Sequence, residues 1–129
     1  MIRVYVKKQS KFAVNAPMIK KELTNFLEGK GLVSDFSVFV SFVGEKVMKS
    51  IASKYLGESS VHNVLSFPES ELRGEFKYPK NETSTLGEIV ICYPEILKEA
   101  NDEGKLIDNK AIELVKHGAL HLMGEHHEN

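Results

Sequence analysis

The stretch Ala111-Ile112-Glu113-Leu114-Val115-Lys116-His117-Gly118-Ala119-Leu120-His121-Leu122-Met123-Gly124-Glu125-His126-His127 decides how this chain is read. Four of the five histidines of the protein lie in it. Projected on a helix, Ala111, Val115, Ala119 and Leu122 cluster on one side, with Ile112 and Met123 nearby. His117 and His121 occupy the opposite arc, one turn apart and flanked by Leu114 and Leu120. One face of the helix is therefore built for a core. The other offers two imidazoles between apolar walls.

Two imidazoles so spaced can share a metal ion lying about 2.0–2.1 Å from each nitrogen. Gly124 falls where a helix running to about Met123 is expected to stop, because glycine accepts the left-handed conformation that ends helices. That turn would bring His127 to the same ion as third ligand, with His126 as a solvated neighbour and competitor. The spacing His-x3-His-x2-Gly-x2-His is that of the metzincin zinc proteases, except that Gly118 stands where they carry the catalytic Glu. Three histidines leave a zinc position open for water, the mark of a hydrolytic rather than a structural site. The plainer readings are an accidental or solvated pair, a helix-dipole preference or a purification-tag remnant; a tag would be a uniform run, whereas Leu120, Leu122 and Gly124 interleave with these histidines. Glu113, one turn before His117, can orient an imidazole from the second shell or serve as a surface carboxylate.

Working outward, 129 residues with 42% hydrophobic and 27% charged side chains suit one soluble domain with a sizeable core. The net charge of −1 announces no general nucleic-acid field, although a local patch beside a dipositive metal can still hold RNA. A single cysteine, Cys92, excludes an internal disulfide framework and is compatible with a reducing compartment. No signal peptide opens the chain, and nothing approaches the ~18 apolar residues of a membrane span. Cytoplasmic residence is expected by elimination.

Ile2 to Lys7 alternates as a half-buried strand. Pro17 opens a helix carrying Met18, Ile19, Leu23, Phe26 and Leu27 at helical spacing, ended by Gly29 or Gly31. Phe36 to Val43 is apolar enough to lie centrally in a sheet. A helix over Lys46 to Leu56 should turn Val47, Ile51 and Leu56 inward, and Lys46, Lys49 and Lys54 outward as solvated surface or an RNA-backbone patch. Asn63 to Pro68 is a short strand stopped by proline. Residues 69–84 are a polar surface loop containing Arg73, Thr85 to Cys92 is a fourth strand, and Pro94 to Ala100 is a short helix. Asp108 or Asn109 can cap the last helix.

His117-Gly-Ala-Leu-His121-Leu-Met-Gly124-Glu-His-His127 resembles the signature of the YbeY family of bacterial rRNA maturation factors, His-Gly-x-Leu-His-Leu-x-Gly-Tyr-Asp-His. Asn63-Val64-Leu65-Ser66-Phe67-Pro68 and Leu86-Gly87-Glu88-Ile89-Val90-Ile91 are similar to two further strands of that family, in the same order and spacing. The resemblance implies a single α+β domain, a mixed sheet of about four strands with helices, and the metal site at the C-terminal end of the last helix. It also implies one zinc ion on His117, His121 and His127 plus water. The implied activity is metal-dependent, single-strand-specific endoribonuclease action in maturing the 3′ end of small-subunit (16S) rRNA and in ribosome quality control. Partners would be rRNA and small-subunit components, with no DNA and no membrane. The chain departs from the pattern at Glu125-His126 (Tyr-Asp), Glu88 (Asp), His62 (Thr) and Leu56, after Tyr55, where many members carry Arg.

The chemistry expected is metal-assisted hydrolysis of an RNA phosphodiester. Its transition state needs positive charge beyond the metal, for which Arg73, Lys46 and Lys49 are candidates. Ser66 and Asn63 can hold phosphate or ribose, or only satisfy strand-end backbone. No general base is identified, Glu125 being the nearest carboxylate. Two rivals come from other classes: a metalloprotease, which would lack its Glu at Gly118, and a non-catalytic ribosome-assembly or RNA-binding factor with structural zinc.

Overall fold

The computed structural model describes residues 1–32, 34–68 and 84–127, with side chains from 125 onward and at Ser84 excluded. The expected loop over 69–84, Arg73 included, and the side chains of Glu125, His126 and His127 therefore lie outside the described residues. Within them the order is β1 (Ile2–Lys7), α1 (Ala16–Gly29), β2 (Phe36–Val43), α2 (Glu45–Leu56), β3 (Val64–Pro68), β4 (Ser84–Cys92), α3 (Tyr93–Glu103) and α4 (Ile107–His127).

The strands form one mixed sheet in the order β1-β2-β4-β3. β1, β2 and β4 run parallel, and β3 pairs antiparallel with β4. β2, Phe-Ser-Val-Phe-Val-Ser-Phe-Val, is buried from Phe36 to Phe42 because a central parallel strand is covered on both faces. Its Val38, Val40 and Phe42 join Ile89 and Ile91 under α1 and α4. On the other face Phe67, Val90 and Cys92 pack against Met48 and Ile51 of α2. Pro68 ends β3 at the sheet edge, where a missing N–H costs nothing. This is an α+β fold, as expected. No described helix is long and apolar enough to cross a membrane.

Two local expectations change. In α2 the inward residues are Met48, Ile51 and Ala52, while Val47 and Leu56 are 47% and 44% exposed. The buried stripe follows the 48-51-52 helical spacing, and Val47 and Leu56 fall off its edges. Neither Asp108 nor Asn109 caps α4, which already begins at Ile107. Asp108 Oδ1 instead accepts the backbone N–H of Asn15 at 2.8 Å, while Asn15 Oδ1 accepts from Met18 N at 3.0 Å. The start of α1 is thereby tied to the start of α4.

Helix α4 also runs straight through Gly124 to His127, so the expected stop is not made there. A helical glycine costs only about 0.5–1 kcal/mol relative to alanine. Met123 and Glu125 on either side both favour helix, which is enough to carry the chain past it.

Two other glycines are fixed by close approach. Gly87 has φ +153°, and a Cβ there would meet Phe67 O at 2.4 Å and Leu122 Cδ2 at 2.8 Å. A Cβ at Gly118 would lie 2.9 Å from Ile89 Cγ2. Gly118 is thus the point at which α4 presses against β4, with its neighbours His117 and His121 turned outward.

Candidate metal centre

His117 and His121 project from the exposed side of α4, opposite Ala111, Ala119 and Leu122, which are buried. Their Nε2 atoms are 3.2 Å apart, with ring centroids at 4.7 Å and planes inclined by 66°. Two nitrogens on one tetrahedral zinc at ~2.0–2.1 Å stand roughly 3.3–3.4 Å from each other. The pair therefore fits the edge of a metal coordination shell without rotamer change. Among the described residues no third histidine, cysteine or carboxylate joins them. The third ligand expected, His127, lies outside the described side chains.

A cleft of about 510 Å3 opens beside His117, lined by Phe26 of α1, Asn63 and Val64 at the start of β3, and Lys110, Glu113, Leu114, Lys116 and Leu120 of α4. Leu114 and Leu120 provide the apolar walls read from the helical projection. The polar side is an ion network. Lys110 is only 4% exposed and reaches Glu99, Glu103 and Glu113 at 3.4, 3.1 and 3.5 Å. Burial pulls the Lys110 pKa down, but its carboxylate partners outweigh that and hold it above the ordinary lysine range. Glu113 gives its carboxylate to Lys105 at 2.6 Å as well as to Lys110. Its partners are thus lysines and not an imidazole, so it acts as a helix-surface carboxylate here.

Asn63 lines the cleft and donates Nδ2 to both oxygens of Glu99, each at 3.2 Å. Ser66 pairs with Ile89 across the sheet, on the face that α4 covers. Glu88, in the place of the family's Asp, is 1% exposed and accepts from Ser41 Oγ. It pairs with Phe67 and so belongs to the α2 face, away from the histidines. The exposed Lys46 and Lys49 lie on α2, which also covers that opposite face. They are not beside His117, and the sheet itself separates them from it. Leu56 ends α2 exposed, with Lys54 held over the Tyr55 ring at 5.9 Å.

The sequence reading missed Phe26, Glu99, Lys110 and Lys116 as parts of this region. Phe26 reads as core by periodicity, and Glu99 reaches the cleft only through tertiary packing. Lys110 had a usable signal, because positions 110, 113 and 117 follow one helical row at i, i+3, i+7. Gly118 is the residue whose meaning changes most. The missing protease Glu is a packing requirement, since a side chain there would run into Ile89.

Residues 4–129 match the family model described as endoribonuclease YbeY. The endoribonuclease YbeY of Macrococcus caseolyticus is 32% identical over 117 residues, covering 91% of this chain and 75% of that protein. That of Alteromonas mediterranea is 38% identical over 102 residues, covering 78% of this chain and 60% of that protein. That of Xanthomonas euvesicatoria is 38% identical over 101 residues, covering 78% and 61%. The chain thus spans about three fifths to three quarters of the length of these relatives. The solution structure of TM1509 from Thermotoga maritima superposes with a TM-score of 0.61 at 25% identity, over 95% of this chain and 71% of that one.

Proposed function

The chain belongs to the endoribonuclease YbeY family, and from that premise we propose that it is a metal-dependent, single-strand-specific endoribonuclease. Its substrate is the 3′ region of small-subunit rRNA, and its setting is maturation and quality control of the ribosome, with small-subunit components as partners. The observation that carries the metal part of this reading is the 3.2 Å separation of the two Nε2 atoms beside an open cleft.

His117, His121 and His127 would hold one zinc ion, three protein ligands being the number that leaves room for water. Bound there, zinc supplies Lewis acidity, lowering the pKa of water toward ~7 and withdrawing charge from a phosphoryl oxygen. On the uninterrupted helix His127 stands six residues, or about 9 Å of rise, beyond His121. Ligation by His127 would therefore require the last turn to open, for which Gly124 is suited, since a Cβ added there would meet nothing within 4 Å among the described residues. Leu114 and Leu120 line the cleft beside His117. Lys116, on the cleft wall next to His117 and 3.8 Å from Glu22, is the cation that would exchange this carboxylate for a phosphate.

The test is cleavage of a 5′-labelled single-stranded RNA by zinc-loaded protein and by His117→Ala purified identically. Loss of cutting in the variant, with an unchanged fold by circular dichroism, is expected. Equal cutting by both preparations would assign the activity to a contaminant. RNA binding without cutting by the wild type would leave a non-catalytic assembly factor as the better reading.

A further inference from the structure

We infer that the cleft beside His117 recognises ribose, with Asn63 Oδ1 accepting the 2′-hydroxyl of a nucleotide bound next to the metal pair. The inference rests on the nuclease reading for its substrate class, but its geometry is independent of it. Asn63 lines the cleft, and its amide is not free to present either end. Both oxygens of Glu99 sit 3.2 Å from Nδ2, so the nitrogen must face the carboxylate, because a carbonyl oxygen there would be repelled. Glu99 is in turn held by the ammonium of Lys110 at 3.4 Å, and Lys110 is only 4% exposed. A chain of charge-assisted contacts from Lys110 through Glu99 thereby sets one orientation of the Asn63 amide.

The end left over is an acceptor, and among the described residues nothing donates to it. A strand of nucleic acid offers such an acceptor few partners. Phosphates are themselves acceptors, and base donors vary with sequence. The 2′-hydroxyl is a donor at every ribonucleotide and is absent from DNA. The remaining surroundings are compatible with the same ligand. Phe26, half-buried on the cleft wall, has Lys30 and Lys116 at 5.5 and 5.6 Å from its ring centroid, and Lys116, now 3.8 Å from Glu22, would exchange that carboxylate for a phosphate on the same strand. A merely structural Asn63, stapling β3 to α3, would need only its Nδ2.

The test uses the full zinc-loaded chain and a fluorescein-labelled single-stranded 12-nucleotide probe, as RNA and as its 2′-fluoro analogue. Fluorine keeps the ribose pucker but donates no hydrogen bond. Fluorescence anisotropy should show wild type preferring the RNA by about 3- to 10-fold, the size of one net hydrogen bond. Asn63→Ala should bind both probes alike. Glu99→Gln, which lets the Asn63 amide rotate, should retain only part of the preference and serves if Asn63→Ala fails to fold. A wild-type ratio near one overturns the inference, as does an unchanged ratio in either folded variant or absence of RNA binding. The preference can persist in a protein that never cuts, so failure of the nuclease reading is separable from failure here.

Discussion

Gly118 and Gly87 show how closely the packing of α4, and with it the histidine pair, is set by residues that carry no chemistry. Replacing Gly118 by Ala adds up to about 1 kcal/mol of helix propensity but forces a methyl to 2.9 Å from buried Ile89. Overpacking of that kind costs about 1–3 kcal/mol, so chemical denaturation should show Gly118→Ala less stable by ~1 kcal/mol. Gly118→Glu should lose far more, because the carboxylate would be buried against an aliphatic side chain. Gly87→Ala combines a positive φ with a 2.4 Å approach to a carbonyl oxygen and should cost at least ~3 kcal/mol. Cys92 is fully buried, and burial pushes its thiol pKa up. It should resist iodoacetamide in the folded protein and react only on unfolding. At this scale the sequence made the histidine pair legible through its i, i+4 spacing. It could not make Gly118 legible, since the reason for that glycine is Ile89, nearly thirty residues away in the chain.

Helix α4 is where the elements and the chemistry meet. Its core face was readable from the 3.6-residue period, but its end was not. Glycine signals a stop only when the residues around it also prefer to leave the helix, and Met123 and Glu125 do not. If His127 joins the metal, zinc binding should open the last turn, and far-UV circular dichroism should show a small loss of helix on zinc addition that His127→Ala lacks. The junction of α3 and α4 carries a second prediction. Glu103 and Glu113 have pKa values held below the ordinary 4.5, the first mainly by its hydrogen bond from Lys110 and the second mainly by that from Lys105. A depressed carboxylate stabilises the fold above its unfolded pKa and loses that contribution as pH falls through the lower folded value. Thermal stability should therefore fall with acidification below about pH 4.5, and Lys110→Met should make that acid limb shallower.

Over the whole molecule the strand order places chemistry and support on opposite faces of one sheet. α4 and α1 cover the face carrying Ile89 and Ile91, while α2 covers Phe67, Val90 and Cys92. The strands and helices were legible because most have a clear period, and β2 was recognisable as central from an apolar run broken only by Ser37 and Ser41. The sequence did not convey which lysines approach the histidines. Lys46 and Lys49 read as candidate cations until the sheet separated them from the histidines, Lys116 carried no signal of its own, and a cleft made from α1, β3 and α4 has no contiguous signature. The central claim is a metal held by His117 and His121 with a third histidine from the C-terminal turn. Its most direct test is zinc per chain by mass spectrometry on untagged protein, for wild type, His117→Ala, His126→Ala and His127→Ala. About one zinc in wild type and His126→Ala, lost in His117→Ala and His127→Ala, is the result expected. No zinc in reconstituted wild type, or a full complement in His117→Ala, would contradict it.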